Sequence, residues 1–255
     1  MLMEFSEDMS DFQKDVVLTL DSLFEKAFKS RHDNYFIQTL FGAKMMGMGV
    51  MDSVVETKNF VDHFYLMLSD KNYVVDNIRI GLMLYCHIFE TNFIPRVIYN
   101  LITIQQGEYN CFPFPLTNGK WEMNPERKIV KIKEKDQKIG NLMQKIYDTN
   151  IRNAFVHSDY ILTNKKIILS ADRNMRSISM SFSELDNRLN NMLFFFNTFF
   201  ETLMNYKTKI YNSGDVIYGN NIAERWKILV NSKDNQVIGF QGTFEEPHGK
   251  YLELR

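Results

Sequence analysis

Arg152, Asn153 and His157 close the stretch Asn141 to Tyr160, NLMQKIYDTNIRNAFVHSDY, and their types suit chemistry on a phosphodiester. Histidine titrates near neutrality and can give or accept a proton. Arginine keeps its charge and offers a planar fork to a phosphate on which negative charge builds. The Asn153 amide can orient either neighbour. On a helix, Asn153 and His157 lie on one side, whereas Arg152 and His157 point about 140° apart with a rise of about 7.5 Å. A long arginine side chain partly closes that angle, and a second copy of the helix would close it better. The plain alternative is a solvated helix-end cation beside an ordinary surface histidine. The spacing by itself recurs by chance and does not decide between the two.

Several elements must position this trio. Leu142, Met143, Ile146, Ile151 and Phe155 recur at helical steps, so one long amphipathic helix is expected to end in the motif. Tyr160-Ile-Leu and Lys166-Ile-Ile-Leu flank Thr163-Asn164-Lys165, which reads as a short hairpin. Ser183 with Asp186 then caps a last long helix, Glu184 to Tyr211, whose aromatic face carries Phe194, Phe195, Phe196, Phe199 and Phe200. Upstream, Asn72 to Gln105 is strongly apolar and interrupted at Pro95, which predicts a kink or break around Asn92 to Ile94. Arg79, Met83, His87 and Glu90 share one side of that segment. His87 and Glu90 stand at a metal-ligand spacing, but no third or fourth ligand joins them, so no metal site is expected and His87 reads as a buried histidine. Glu90 is the better candidate for a carboxylate that holds Arg152.

Arg-Asn-x-x-x-His at a helix end, followed by a hairpin and a long helix, resembles the HEPN family of all-helical ribonucleases and nucleotide-binding modules. Its mark is Arg-x4-6-His with a polar residue directly after the arginine. Arg152, Asn153 and His157 fit that mark, and the resemblance covers roughly Asn72 to Tyr211. A branch paired with nucleotidyltransferase antitoxins has a tyrosine two residues after the histidine. Here Ser158-Asp159-Tyr160 puts it three residues after, so that regulatory mode is not implied. The resemblance implies a metal-independent endoribonuclease of the defence or toxin kind, acting on RNA as a homodimer with both motifs at the interface. Arg152 would stabilise the phosphorane-like transition state, His157 would carry the proton, and Asn153 would position one of them. Tyr160 would support the site, and a partner protein would restrain it. No cofactor is implied. The rival implication is a HEPN-like module that holds nucleotide, RNA or a protein without cutting.

Composition bounds these readings. With 45% apolar residues, 21 Phe and 12 Tyr, the chain can bury a sizeable core. A formal net charge of −1 argues against a general nucleic-acid coat but leaves room for a locally basic cleft. Lys165, Lys166, Arg173 and Arg176 put positive charge just after His157, either as a solvated face or as residues that track an RNA backbone. Cys86 and Cys111 are too few for a disulfide framework, which suits a cytoplasmic protein. No signal core opens the chain, and no run of about 18 apolar residues marks a membrane span.

The fold class expected is mainly α: a HEPN-like helical bundle over residues 71–212, a helical extension over 1–70 and a small β appendage over 213–255. Ser10 and Gln13 make a capping box for a first helix, Asp11 to about Lys29, with a stripe of Val16, Val17, Leu20, Leu23, Phe24 and Phe28. A second helix is expected from Asn34 to about Val55, bearing a Met-rich run (Met45, Met46, Met48, Met51) that reads as a packing face. Thr57 is expected to cap a third helix ending near Ser69. Gly107 to Pro125 must be a loop, and Arg127 to Lys138 is basic. In the tail, Val216 to Tyr218, Trp226 to Val230 and Val237 to Phe240 have strand propensity, with a turn at Lys233-Asp234-Asn235.

Overall fold

The computed structural model describes residues 9–30, 36, 39–40, 50–67, 74–108, 114, 122–170, 177–213, 216–218, 224–230, 237–245 and 251–253. Eight helices run through them: α1 (Asp11–Lys29), α2 (Val50–Met67), α3 (Val74–Glu90), α4 (Phe93–Ile104), α5 (Pro125–Lys135), α6 (Gln137–Ile146), α7 (Thr149–Val156) and α8 (Phe182–Ser213). Strands β1 (Tyr160–Leu162), β2 (Lys166–Ser170) and β3 (Ser177–Ser181) form one antiparallel sheet between α7 and α8. After α8, β4 (Val216–Tyr218), β5 (Glu224–Val230), β6 (Val237–Glu245) and β7 (Tyr251–Glu253) form a four-stranded antiparallel meander. The protein is mainly helical, with one small sheet before the last helix and one after it.

Local chemistry explains most boundaries. The Ser10 hydroxyl accepts from Gln13 N–H while the Gln13 side chain accepts from Ser10 N–H, closing the capping box that starts α1. α3 stops at Glu90 and α4 begins at Phe93, so Pro95 falls in a first turn, where its missing N–H leaves no helical bond unmade. Pro125 opens α5 behind an Asn124 cap.

Four expectations need correction. The motif does not end one long helix: Tyr147 and Asp148 are extended, and the Asp148 carboxylate accepts from Asn150 and Ile151 N–H to start the separate, eight-residue α7. Thr57 caps nothing, because α2 runs through it unbroken. The final helix starts at Phe182 rather than after Ser183, since the Ser181 hydroxyl accepts from Glu184 N–H. Phe28 lies on the rim of its stripe, exposed at one edge while its ring meets Phe36 and Tyr206. Met45, Met46 and Met48, the Lys233-Asp234-Asn235 turn, Cys111, and most of the 107–125 loop lie outside the described residues, as does the Met51 side chain.

One core joins the helices. Val16, Leu20 and Phe24 of α1 share a cluster with Tyr85 of α3, Val97 of α4 and Phe199 of α8. α1 therefore packs into the bundle against α4 and α8. Phe24 and Phe199 meet edge to face with ring centres 5.9 Å apart. Burying each such ring stabilises the fold by about 1.5–3 kcal/mol. Gly140 lets α5 and α6 cross closely, because a Cβ there would lie 2.4 Å from Lys133 Cα.

Candidate active site

α7 packs on α3, and this contact joins two charges far apart in sequence. Arg152 Nε donates to Glu90 Oε1 at 2.6 Å, and Nη2 lies 2.6 Å from the same oxygen. Nη1 donates to Asn153 Oδ1 at 3.0 Å. Glu90 is the last residue of α3, and Arg152 sits mid-way along α7, so the pair clamps the two helices together. The Arg152 side chain keeps 24% of its surface open. A guanidinium carries five N–H donors, more than Glu90 and Asn153 occupy.

The clamp sits in a polar seam. The fully buried Lys128 of α5 donates to Asn92 Oδ1, two residues beyond Glu90. Burial pulls its ammonium pKa down, and the nearby Glu90 and Glu122 carboxylates oppose that. Burial pushes the Tyr147 hydroxyl up to about 12, against a hydrogen bond with Thr149 and the charge of Arg152. The Cys86 thiol, one turn before Glu90, is likewise raised to about 12 by burial, and its sulfur lies 3.9 Å from the Arg152 carbonyl oxygen. Tyr147 and Cys86 therefore keep their protons at neutral pH.

A second network fixes the start of α7. The Tyr85 hydroxyl donates to the Ile146 carbonyl at 2.9 Å and accepts from Asp148 N–H. Asp148 also accepts from Arg188 Nη1 of α8 at 2.8 Å. Cap, tyrosine and arginine together hold the break between α6 and α7, and so set the angle at which Arg152 meets Glu90.

His157 is the C-cap of α7 and is exposed. Asp159 N–H bonds the Ala154 carbonyl at 2.7 Å and Ser158 N–H bonds the Phe155 carbonyl at 3.1 Å, the paired bonds of a Schellman ending. Ser158 adopts φ 57°, a left-handed conformation usually left to glycine. Ser170 N–H reaches Asp159 O at 2.8 Å, tying the ending to β2. The backbone under His157 is therefore held from both sides, while its imidazole makes no hydrogen bond or ion pair among the described residues.

Within one chain the structure thus brings together Arg152, Asn153 and Glu90, with His157 one turn beyond on the exposed helix end. Tyr160 opens β1, half-buried, with its ring stacked on Phe155 at 6.2 Å between centres. Lys165 and Lys166 are exposed on the β1–β2 hairpin, and Arg173 and Arg176 lie outside the described residues. His87 is half-buried, its ring stacked on Phe60 at 4.1 Å, and burial lowers its pKa. No group of three or more His, Cys, Asp or Glu suited to a metal occurs among the described residues, and none of their helices is long and apolar enough to cross a membrane. Lys128, Tyr147 and Arg188 are members of the site's surroundings that spacing alone did not disclose. Lys128 and Arg188 come near only because α5 packs on α4 and α8 packs on α3, while Tyr147 stands in the break before α7. Comparison of the chain with protein-family models, curated proteins and solved structures gave no match.

Proposed function

We propose that this chain is a metal-independent endoribonuclease of the HEPN type, acting as a homodimer. The observation that carries the reading is the Arg152–Glu90 clamp: a partly exposed guanidinium held at fixed orientation one turn from an exposed histidine on a rigid helix end. The remaining N–H donors of Arg152 bind the scissile phosphate as charge builds on it. His157 accepts the proton of the 2′-hydroxyl. That oxygen attacks phosphorus, the bond to the 5′-oxygen breaks, and a protonated histidine supplies the leaving oxygen with its proton. The products are a 2′,3′-cyclic phosphate and a 5′-hydroxyl. Because RNA carries its own nucleophile, the attack is intramolecular and needs no activated water. His157 makes no hydrogen bond with Arg152 in its own chain, which favours a second copy supplying the facing member of the pair.

The test is incubation of the purified protein with mixed-sequence RNA in EDTA, with end-group analysis of the products. Cleavage to cyclic phosphate ends that stops at a 2′-deoxy sugar and vanishes in His157→Ala supports the reading. A strict requirement for Mg²⁺, or cleavage at the deoxy position, overturns it. One observation favours a second reading, a non-cutting nucleotide- or RNA-binding module: Glu90 already matches the charge of Arg152, which lowers its pull on a phosphate. Binding without cleavage by the wild type would select that module.

A further inference from the structure

The α5–α6 hairpin concentrates positive charge that the clamp and its surroundings do not use. Between Pro125 and Lys145 stand seven Lys or Arg against three Asp or Glu, in a chain whose formal net charge is −1. Three of these cations are committed elsewhere. Lys128 is buried against Asn92, Lys133 donates to Gln144 at 2.8 Å, and Lys145 lies 3.6 Å from Asp15. The other four face outward or flank the exposed surface. Arg127 is largely exposed, with one nitrogen 3.5 Å from Glu122. Lys131 is half-buried, and Lys135 and Lys138 are exposed. Among the described residues these three lysines have no acidic partner within 4 Å.

Their spacing makes a track. Arg127, Lys131 and Lys135 follow one another at i, i+4 and i+8, which places them within an arc of about 80° and steps of about 6 Å along α5. Lys138 stands exposed three residues further on, in the first turn of α6. The close crossing at Gly140 and Lys133 holds the two helices as one unit, so these charges keep their relative positions. The track also begins beside the clamp: Lys128, in the same first turns of α5 as Arg127, reaches Asn92 at the end of α3, two residues from Glu90.

We propose that Arg127, Lys131, Lys135 and Lys138 form the surface that binds the phosphate backbone of single-stranded RNA and leads it to Arg152 and His157. This rests on the ribonuclease reading and places the substrate on the α5–α6 hairpin rather than on Lys165 and Lys166 of the β-hairpin. A line of flexible cations at near-regular spacing binds a polyanion without reading its bases, so the contact is sequence-tolerant and salt-dependent.

The experiment measures binding of a labelled, mixed-sequence single-stranded RNA to the full chain carrying His157→Ala, across a series of salt concentrations. Adding Lys131→Glu, Lys135→Glu and Lys138→Glu should weaken binding by at least about tenfold at low salt and flatten the log–log salt slope by about 2, as expected for three lost phosphate contacts on a single strand. The matching lysine-to-arginine triple should bind as the parent does. If the glutamate triple fails to fold, the lysine-to-glutamine triple gives the same slope change. Unchanged affinity and slope in a folded triple, or a larger loss from Lys165→Glu with Lys166→Glu, overturns the track. In that event cleavage by the wild-type chain shows that the ribonuclease reading survives. Wild-type binding to phosphatidylserine vesicles with none to RNA overturns the RNA assignment.

Discussion

Glu90 and Arg152 are 62 residues apart in sequence, yet both Nε and Nη2 of the arginine lie 2.6 Å from one carboxylate oxygen of the glutamate. Both side chains are partly open to water, which screens the pair and limits its worth. Charge-assisted hydrogen bonds in such settings contribute about 1–2 kcal/mol. A double-mutant cycle of Glu90→Gln and Arg152→Gln, read by denaturant unfolding, should return a coupling energy of about 1 kcal/mol. Additivity of the two substitutions would show that the clamp does not hold α3 to α7. Under the proposed function, Glu90→Gln should slow cleavage while leaving helix content unchanged.

His157→Ala should leave stability within about 0.5 kcal/mol, because the imidazole is exposed and makes no polar contact. Its effect on RNA cleavage should be a loss of at least about a hundredfold. Thermal unfolding and a cleavage time course on the same preparation check both halves. A drop in melting temperature without loss of activity would make His157 a structural residue.

Ser158→Gly removes the side chain from a left-handed position and should stabilise the fold by about 0.5–1 kcal/mol. The Schellman bonds from Ser158 and Asp159 should persist, so amide exchange at Asp159 should stay slow. Faster exchange there would mean that the serine side chain, not the backbone bonds, secures the ending of α7.

Asp148→Ala deletes the cap of α7 and strips Arg188 of one partner. Loss of an N-cap costs about 1 kcal/mol, and loss of the ion pair, which leaves Arg188 with Glu184 alone, adds to it. The total expected is about 2 kcal/mol by urea unfolding. Asp148→Asn should recover about half, since asparagine caps a helix but cannot pair with Arg188. Equal loss in the two variants would place the whole effect in the ion pair.

His87 supplies a pH dependence with a defined sign. Its folded pKa lies below the ordinary 6.5 because burial against Phe60 disfavours the charged ring. The unfolded chain therefore takes up this proton first as pH falls, and stability declines from about pH 6.5 downward through the folded value. Chemical unfolding at pH 7.0 and 5.0 should show a smaller loss in His87→Phe than in the wild type. Identical losses would assign the acid sensitivity to other groups, among them Glu25, whose pKa is lowered by hydrogen bonds from Lys29 and Tyr206.

Much of the helical framework was legible locally. The capping box of α1 is written in Ser10 and Gln13, the α3–α4 break in Pro95, and the β1–β2 hairpin in the residues around Asn164. Such signals depend on neighbours within four residues, so the sequence alone determined them. The grouping of Arg152, Asn153 and His157 was legible for the same reason. Where two local signals competed, the sequence did not choose. Leu142 to Phe155 keeps one helical period across Tyr147 and Asp148, and the chain breaks there because Tyr85 and Arg188, from other helices, reward Asp148 for capping. Thr57 and Ser183 are good caps in isolation. Thr57 lies mid-helix in α2, and the Ser181 hydroxyl, at the end of β3, starts α8 two residues before Ser183. Glu90 could be suggested as the partner of Arg152, but nothing in a linear order fixes a contact across 62 residues. Packing α7 onto α3 set that distance, and with it the orientation of the guanidinium. The burial of Lys128 and Tyr147 beside the pair has the same origin: desolvation is a property of the packed interior, and no spacing of residues encodes it.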